Sequence, residues 1–219
     1  MSDDDNMGWE TVPNNKKRER QLFKNSKNHN VEEILPWVSY IPPTDQNTNY
    51  EPFMVLLCGI PGSGKSTFGQ ALEMAMPYKF VRVNQDELKT RSKCHDMVRQ
   101  VLSNNKQCPV VDRCNFDQQQ RASFVAIATE MGVPVDCIVL DTTATTNLVT
   151  VEECIYRCQQ RRNHPGLSPQ EAKGIVLLMT QQMNPPLSKN NSEGIRTVTH
   201  VTDMKKFHDT VVTYWNMKR

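Results

Sequence analysis

Residues 59–67 read GIPGSGKST. The stretch fits G-x-x-x-x-G-K-[ST] in full. It stands between the apolar run FMVLLCG (53–59) and the helix-spaced STFGQALEMAM (66–76). A buried strand, a glycine-rich turn and a helix are thereby set in order, and the rest of the chain must build around them. Gly59, Gly62 and Gly64 permit backbone turns that a side chain would obstruct. The backbone N–H groups then point inward, and the helix N-terminus adds partial positive charge. The expected nucleotide-binding set is Gly62, Ser63, Gly64, Lys65, Ser66 and Thr67. Lys65 would bridge the β- and γ-phosphates, and Ser66 would hold Mg²⁺. The motif predicts binding of ATP or GTP.

Downstream, strand and helix patterns alternate. Strands are expected at FVRVN (80–84), PVVDR (109–113), VDCIVLD (135–141) and IRTVTHV (195–201). Residues 86–104 are polar with helical stretches. DQQQRASFVAIATEMG (117–132) reads as an amphipathic helix with Asp117 as N-cap and Gly132 as its stop. Further helices are expected at 151–162, at 168–183 with Ser168 as cap, and at 203–215. This alternation implies an α/β fold with a parallel sheet and helices on both faces; with the glycine-rich motif, a P-loop NTPase type with a kinase-like lid is expected.

The 219 residues suit one such domain with a tail. We expect a polar, basic N-terminal arm over residues 1–45 and the domain over 46–219. Hydrophobic content of 37% fits a chain partly outside a packed core. Within the arm, KKRER (16–20) fits a nuclear import signal or a nucleic-acid contact, and equally a solvated charge cluster. Trp37 in VEEILPWVSYIPP is expected to anchor the arm's end. The seven cysteines include no CxxC pair and fall partly in apolar runs, which points to free thiols in a reducing compartment. Cys154, Cys158 and His164 lack zinc spacing, so buried or half-exposed thiols are the reading there. With an acidic, polar N-terminus and only short apolar runs, an intracellular protein is expected, nuclear or cytoplasmic, without a membrane.

The remaining motifs concern where a phosphate would go. A base-reading NKxD is absent, and the length suits a compact kinase. Asp86, just after the second strand, fits a base for an acceptor hydroxyl and fits equally the N-cap of the next helix. Asp112 ends the third strand as a Walker-B-like carboxylate beside Mg²⁺, and Asn115 in the same loop would orient phosphate or acceptor. In IYRCQQRRNHPG, Arg157 and Arg161 are four apart and share a helix face, with Arg162 adjacent. They would form a cationic lid over the phosphates, or else a solvated basic helix end. Lys89, Arg91, Lys93, Arg99 and Lys106 would line an acceptor groove, or else a charged surface helix.

Taken in order, GxPGSGKST, VNQD, DRCN with Arg121 on the following helix, and RxxxRRxHP resemble the 5′-hydroxyl polynucleotide kinase family. The resemblance extends over about residues 53–200. It is to the kinase domain of polynucleotide kinase/phosphatase and the bacteriophage enzyme, with DRCNFDQQQR closer to the kinase module of plant aprataxin-like proteins. It implies that Asp86 is the general base for a 5′-OH and that Lys65 and Ser66 serve ATP and magnesium. Asp112 would be the second acidic group and Arg161 the lid arginine on the ATP phosphates, with Arg157 one turn earlier. Arg121 would touch a nucleic-acid phosphate. Where the bacteriophage enzyme has an Arg on the substrate's 3′-phosphate, this chain has Lys89, with Arg91 nearby. A DxDGT phosphatase motif and a histidine triad are absent, so 3′-phosphatase and deadenylation activities are not expected. Two other readings remain open at this level. One is a kinase for a nucleoside, nucleotide or sugar, with a closed pocket; the other is a non-catalytic ATP-binding adaptor in nucleic-acid repair or processing.

Overall fold

The computed structural model describes residues 50–104, 107–142, 148–161, 167–187 and 192–216. The basic cluster at 16–20, Trp37, Lys106, Arg162 and His164 lie outside the described residues.

Five strands form one parallel sheet: β1 (Met54–Cys58), β2 (Phe80–Asn84), β3 (Cys108–Asp112), β4 (Val135–Leu140) and β5 (Thr197–Val201), in the order β2-β3-β1-β4-β5. β1, β3 and β4 are buried at every position. Their sequences are mostly apolar, with Asp112 and Asp136 the exceptions, because helices cover both faces of the sheet. β5 lies at the edge and is mostly half-exposed, which suits its Thr and His content.

The helices are α1 (Lys65–Ala75), α2 (Gln85–Leu88), α3 (Arg91–Asn104), α4 (Gln118–Glu130), α5 (Val151–Gln160), α6 (Ala172–Gln182) and α7 (Met204–Asn216). As expected, Asp117 caps α4, its carboxylate accepting from the Gln120 N–H at 2.7 Å. Gly132 ends that segment at φ 67°, a conformation that suits glycine. The helix expected from Ser168 starts later, at Ala172. Ser168 instead opens a turn, its carbonyl accepting from the Ala172 N–H at 3.1 Å.

Alternate residues of β1 serve opposite layers, as the pleat requires. Met54, Leu56 and Cys58 pack with Val98 of α3 and with Phe124 and Ile127 of α4. On the α1 side, the Phe68 ring meets Phe207 of α7 edge-on at 5.0 Å. A second apolar cluster joins α5 and α6 through Cys154, Cys158, Ala172 and Val176, and includes Ile60 from the glycine-rich loop. β4 and β5 are tied by buried Asp136, which accepts from Arg196 at 2.7 and 2.8 Å and from the Thr197 hydroxyl at 2.7 Å.

All seven cysteines are free, and six are buried. Burial pushes the Cys108 thiol up to about 12 and the Cys154 thiol up to about 11. In the unfolded chain both ionise near about 8.5. Between those values the fold holds protons that the unfolded chain has lost, so stability falls as pH rises. The contribution is complete below about pH 8.5 and drains as pH climbs toward 11 and 12. We expect urea midpoints to drop steadily above pH 9, with a shallower slope in Cys154→Ala. An equal slope in both proteins would refute the assignment to this thiol.

Candidate active site

Gly64 sits at the N-cap of α1 with φ 104° and has no side chain to cap the helix, so the first-turn N–H groups gain no side-chain acceptor from it. The buried Ser63 hydroxyl has no hydrogen-bond partner among the described residues. A cradle of uncapped amides with an orphaned hydroxyl fits a phosphate ligand. Lys65 is buried in the same loop, its Nζ donating to the Ile60 carbonyl at 2.7 Å.

Gly62 is needed for contact as well as conformation. It has φ 84°, and a Cβ placed there would lie 2.5 Å from the Cys154 carbonyl oxygen of α5. Gly62→Ala should therefore push α5 from the loop and destabilise the fold by about 1–3 kcal/mol, measured by urea unfolding without nucleotide. An unchanged midpoint would count against this packing.

Asp112 divides its two oxygens. Oδ2 accepts from Arg82 Nε and from Asn84 Nδ2, each at 2.7 Å. Oδ1 accepts from the Ser66 hydroxyl at 3.3 Å. β2 thus fixes the carboxylate, and its other oxygen faces the end of the glycine-rich loop. Arg82 is itself held by Glu87 at 2.7 Å, and its backbone N–H by Glu73 at 3.0 Å. Hydroxyl and carboxylate are hard oxygen donors of the kind Mg²⁺ takes. Sequence reasoning missed Arg82 and Asn84. The signal was a charged residue at the centre of the buried strand FVRVN, which needs a partner.

Asp86 lies in the first turn of α2, two residues past the end of β2 and half-buried. It is not the N-cap. Asn84 takes that position, its side-chain oxygen accepting from the Glu87 N–H at 3.1 Å. Asn84 and Asp112 are paired across β2 and β3, so Asp86 and Asp112 leave the sheet at the same edge. Exposed Lys89 bends back to the Asp86 carbonyl at 2.7 Å, and Arg91 opens α3 on the surface.

Asn115 is fully buried, its amide donating to the Leu57 carbonyl at 2.9 Å. Arg121 is also fully buried, paired twice with Glu193 at 2.7 Å and donating to the Asn115 carbonyl at 3.0 Å. Both help hold the β3–α4 loop, while the Asn115 side-chain oxygen has no hydrogen-bond partner among the described residues.

The two arginines expected in a lid lie differently. α5 starts with a capping box, Thr150 and Glu153 bonding reciprocally. Arg157 Nη1 reaches the Gly62 carbonyl at 3.4 Å, so this arginine stands against the loop. Arg161 is the C-cap with extended backbone, so it leaves the helix and the shared-face argument stops one residue short. The Cys158 thiol lies within the fields of both Arg161 and Lys65. Cys154 and Cys158 are buried thiols, and no cluster of three metal-ligating side chains occurs among the described residues.

A glycine-rich loop on the central strand of a parallel 2-3-1-4-5 sheet, with acidic groups at the ends of β2 and β3 and a helical lid, defines a P-loop kinase fold. The chain belongs to the AAA_33 family, an AAA domain, matched over residues 54–186. It is 39% identical over 85 residues to the bifunctional polynucleotide phosphatase/kinase of Schizosaccharomyces pombe, covering 39% of this chain and 20% of that one. It is 30% identical over 154 residues to transcription factor bHLH140 of Arabidopsis thaliana, covering 66% of this chain and 16% of that one. The chain thus spans a fifth or less of the length of these relatives. In structure it is similar to a fungal RNA kinase, with TM-score 0.58 and 14% identity over 75% of this chain and 43% of that one. It is likewise similar to Kti12 of Chaetomium thermophilum, solved in complex with ADP-AlF3, with TM-score 0.55 and 14% identity over 74% of this chain and 97% of that one. The resemblance to polynucleotide kinases read from the motifs is borne out. No helix among the described residues is long and apolar enough to cross a membrane.

Proposed function

We propose that the chain is an ATP-dependent polynucleotide 5′-hydroxyl kinase acting on DNA, RNA or both, without 3′-phosphatase activity. The observation that carries this reading is the placement of Asp86 and Asp112 at one edge of β2 and β3, with Ser66 of the loop 3.3 Å from Asp112. The polynucleotide-kinase relative supports the acceptor class.

In the proposed step, the 5′-hydroxyl oxygen attacks the γ-phosphorus. A P–O bond forms there, and the bond to the β–γ bridging oxygen breaks, releasing ADP. The hydroxyl proton passes to the Asp86 carboxylate. Lys65 exchanges its bond to the Ile60 carbonyl for the phosphates, and Arg157 and Arg161 neutralise charge from the lid side. Mg²⁺, held by Ser66 and Asp112, would screen the phosphate oxygens. Lys89 and Arg91 are assigned to the nucleic-acid side. We assign residues 46–219 to the catalytic unit and residues 1–45, by sequence alone, to a basic arm.

The test uses labelled ATP with 5′-OH DNA and RNA oligonucleotides, beside free nucleosides. Labelled oligonucleotide is the expected result. Label confined to nucleosides or sugars would replace this reading with a small-molecule kinase. Tight ATP binding without transfer would leave a non-catalytic adaptor.

A further inference from the structure

Asp86 and Asp112 have separate tasks in the proposed step, yet one buried side chain ties the backbone of the first to the carboxylate of the second. α2, which carries Asp86, is a single four-residue turn with no buried residue. A turn that short does not hold itself. The aim of Asp86 therefore depends on what fastens α2 to the sheet. At its C-terminal end Leu88 packs partly against the core. At its N-terminal end the ties come from Arg82 and Asn84, two residues apart on β2 and so on one face of the strand.

Each of these residues reaches both Asp112 and Glu87. Arg82 Nε donates to Asp112 Oδ2, and its Nη1 donates to Glu87 Oε1, both at 2.7 Å. Asn84 Nδ2 donates to the same Asp112 oxygen at 2.7 Å, and its Oδ1 accepts from the Glu87 N–H at 3.1 Å. The two bridges are unequal. The Glu87 side chain is 68% exposed, so solvent screens its pair with Arg82 and that tie is weak. Asn84 is 5% exposed, and it holds the backbone of α2, where Arg82 holds only a side-chain tip. Its amide also has a single orientation that serves both partners. The carboxylate offers only acceptors and the N–H only a donor.

We propose that Asn84 is a positioning residue that sets the separation between the Asp86 and Asp112 carboxylates. This rests on the kinase reading above. One bond of Asn84 fixes the carboxylate beside Ser66, and the other fixes the first turn of α2, from which Asp86 projects. In-line transfer needs the attacking hydroxyl and the charge-bearing phosphate held together, and about 1 Å of misplacement costs on the order of 10²-fold. Asn84 acts through the two groups it joins.

The test uses single-turnover transfer from ATP to a 5′-OH oligonucleotide by the full chain. Asn84→Ser keeps an oxygen that caps α2, but holds it a bond nearer the strand, out of reach of Asp112. It should slow transfer by about 10- to 100-fold, the usual loss when the partner of a metal-side carboxylate is removed. The loss should fall on kcat while KM for the oligonucleotide holds. Asn84→Ala, without cap or bridge, should be slower still. A merely structural asparagine would lower the urea midpoint and leave kcat of the folded protein intact, so a folded Asn84→Ser with wild-type kcat overturns the proposal. Should that variant not fold, Asn84→Asp decides. It keeps the shape and the cap but turns a carboxylate toward Asp112; the same loss is expected, and a wild-type rate overturns the proposal. Amide hydrogen exchange at Glu87, measured without nucleotide or acceptor, separates the two readings. Asp112→Ala removes the far anchor of Asn84 and leaves the cap atoms in place, so the Glu87 N–H should exchange about 10-fold faster. If wild type phosphorylates no acceptor, the kinase reading falls. Faster exchange in Asp112→Ala still upholds the bridge, and unchanged exchange removes it.

Discussion

Asp86→Asn is expected to lower phosphoryl transfer to a 5′-OH oligonucleotide by about 10²- to 10⁴-fold, the range for removal of a positioned general base. Asparagine has nearly the same shape, but it cannot accept the hydroxyl proton as the P–O bond forms. ATP affinity should be retained, because the proposed nucleotide contacts are made by the loop and Asp112 and not by Asp86. Lys65→Ala should differ by losing both ATP affinity and transfer, since its ammonium is the buried cation of the loop. Single-turnover rates with saturating ATP, beside equilibrium ATP binding, separate the two. If Asp86→Asn turns over at a rate comparable to wild type, another group takes the proton and the assignment fails.

Arg121→Met should destabilise the fold by about 3–5 kcal/mol, the cost of removing one partner of a buried ion pair. The Arg121 side chain is wholly enclosed and that of Glu193 nearly so, with two bonds of 2.7 Å between them. Methionine fills much of the volume but removes both bonds to the Glu193 carboxylate and the one to the Asn115 carbonyl. Arg121→Met combined with Glu193→Leu should lose less than the single change, because the carboxylate that Arg121 neutralised is then gone too. Urea unfolding of the four proteins closes this cycle. A loss below about 1 kcal/mol, together with weaker oligonucleotide binding, would return Arg121 to the substrate.

Local features were legible and distant pairings were not. The strand–loop–helix start was readable because continuous apolar runs and glycine spacing act within a few residues. Asp117 and Gly132 were readable for the same reason. The N-cap of α2 was misplaced because Asn84 and Asp86 both satisfy capping chemistry, and only the path of the backbone separates them. Arg161 was placed on a helix that ends one residue earlier, within the usual fraying of helix ends. The burial of Arg121 was illegible because its partner lies 72 residues away. A lone arginine on an amphipathic helix reads as surface until that partner is known. The Asp112 clamp was hidden likewise, since it forms only when β2 and β3 come into register.

Ile60 belongs to the glycine-rich loop and also to the apolar cluster of α5 and α6, and Gly62 abuts the backbone of Cys154. Loop and lid are therefore mechanically one body at this contact. If a ligand at the loop changes the stability of the α5–α6 pair, then whatever changes that pair alters affinity at the loop by the same free energy. Substitutions far out on α6 can thereby retune nucleotide affinity without touching a single atom that meets the nucleotide.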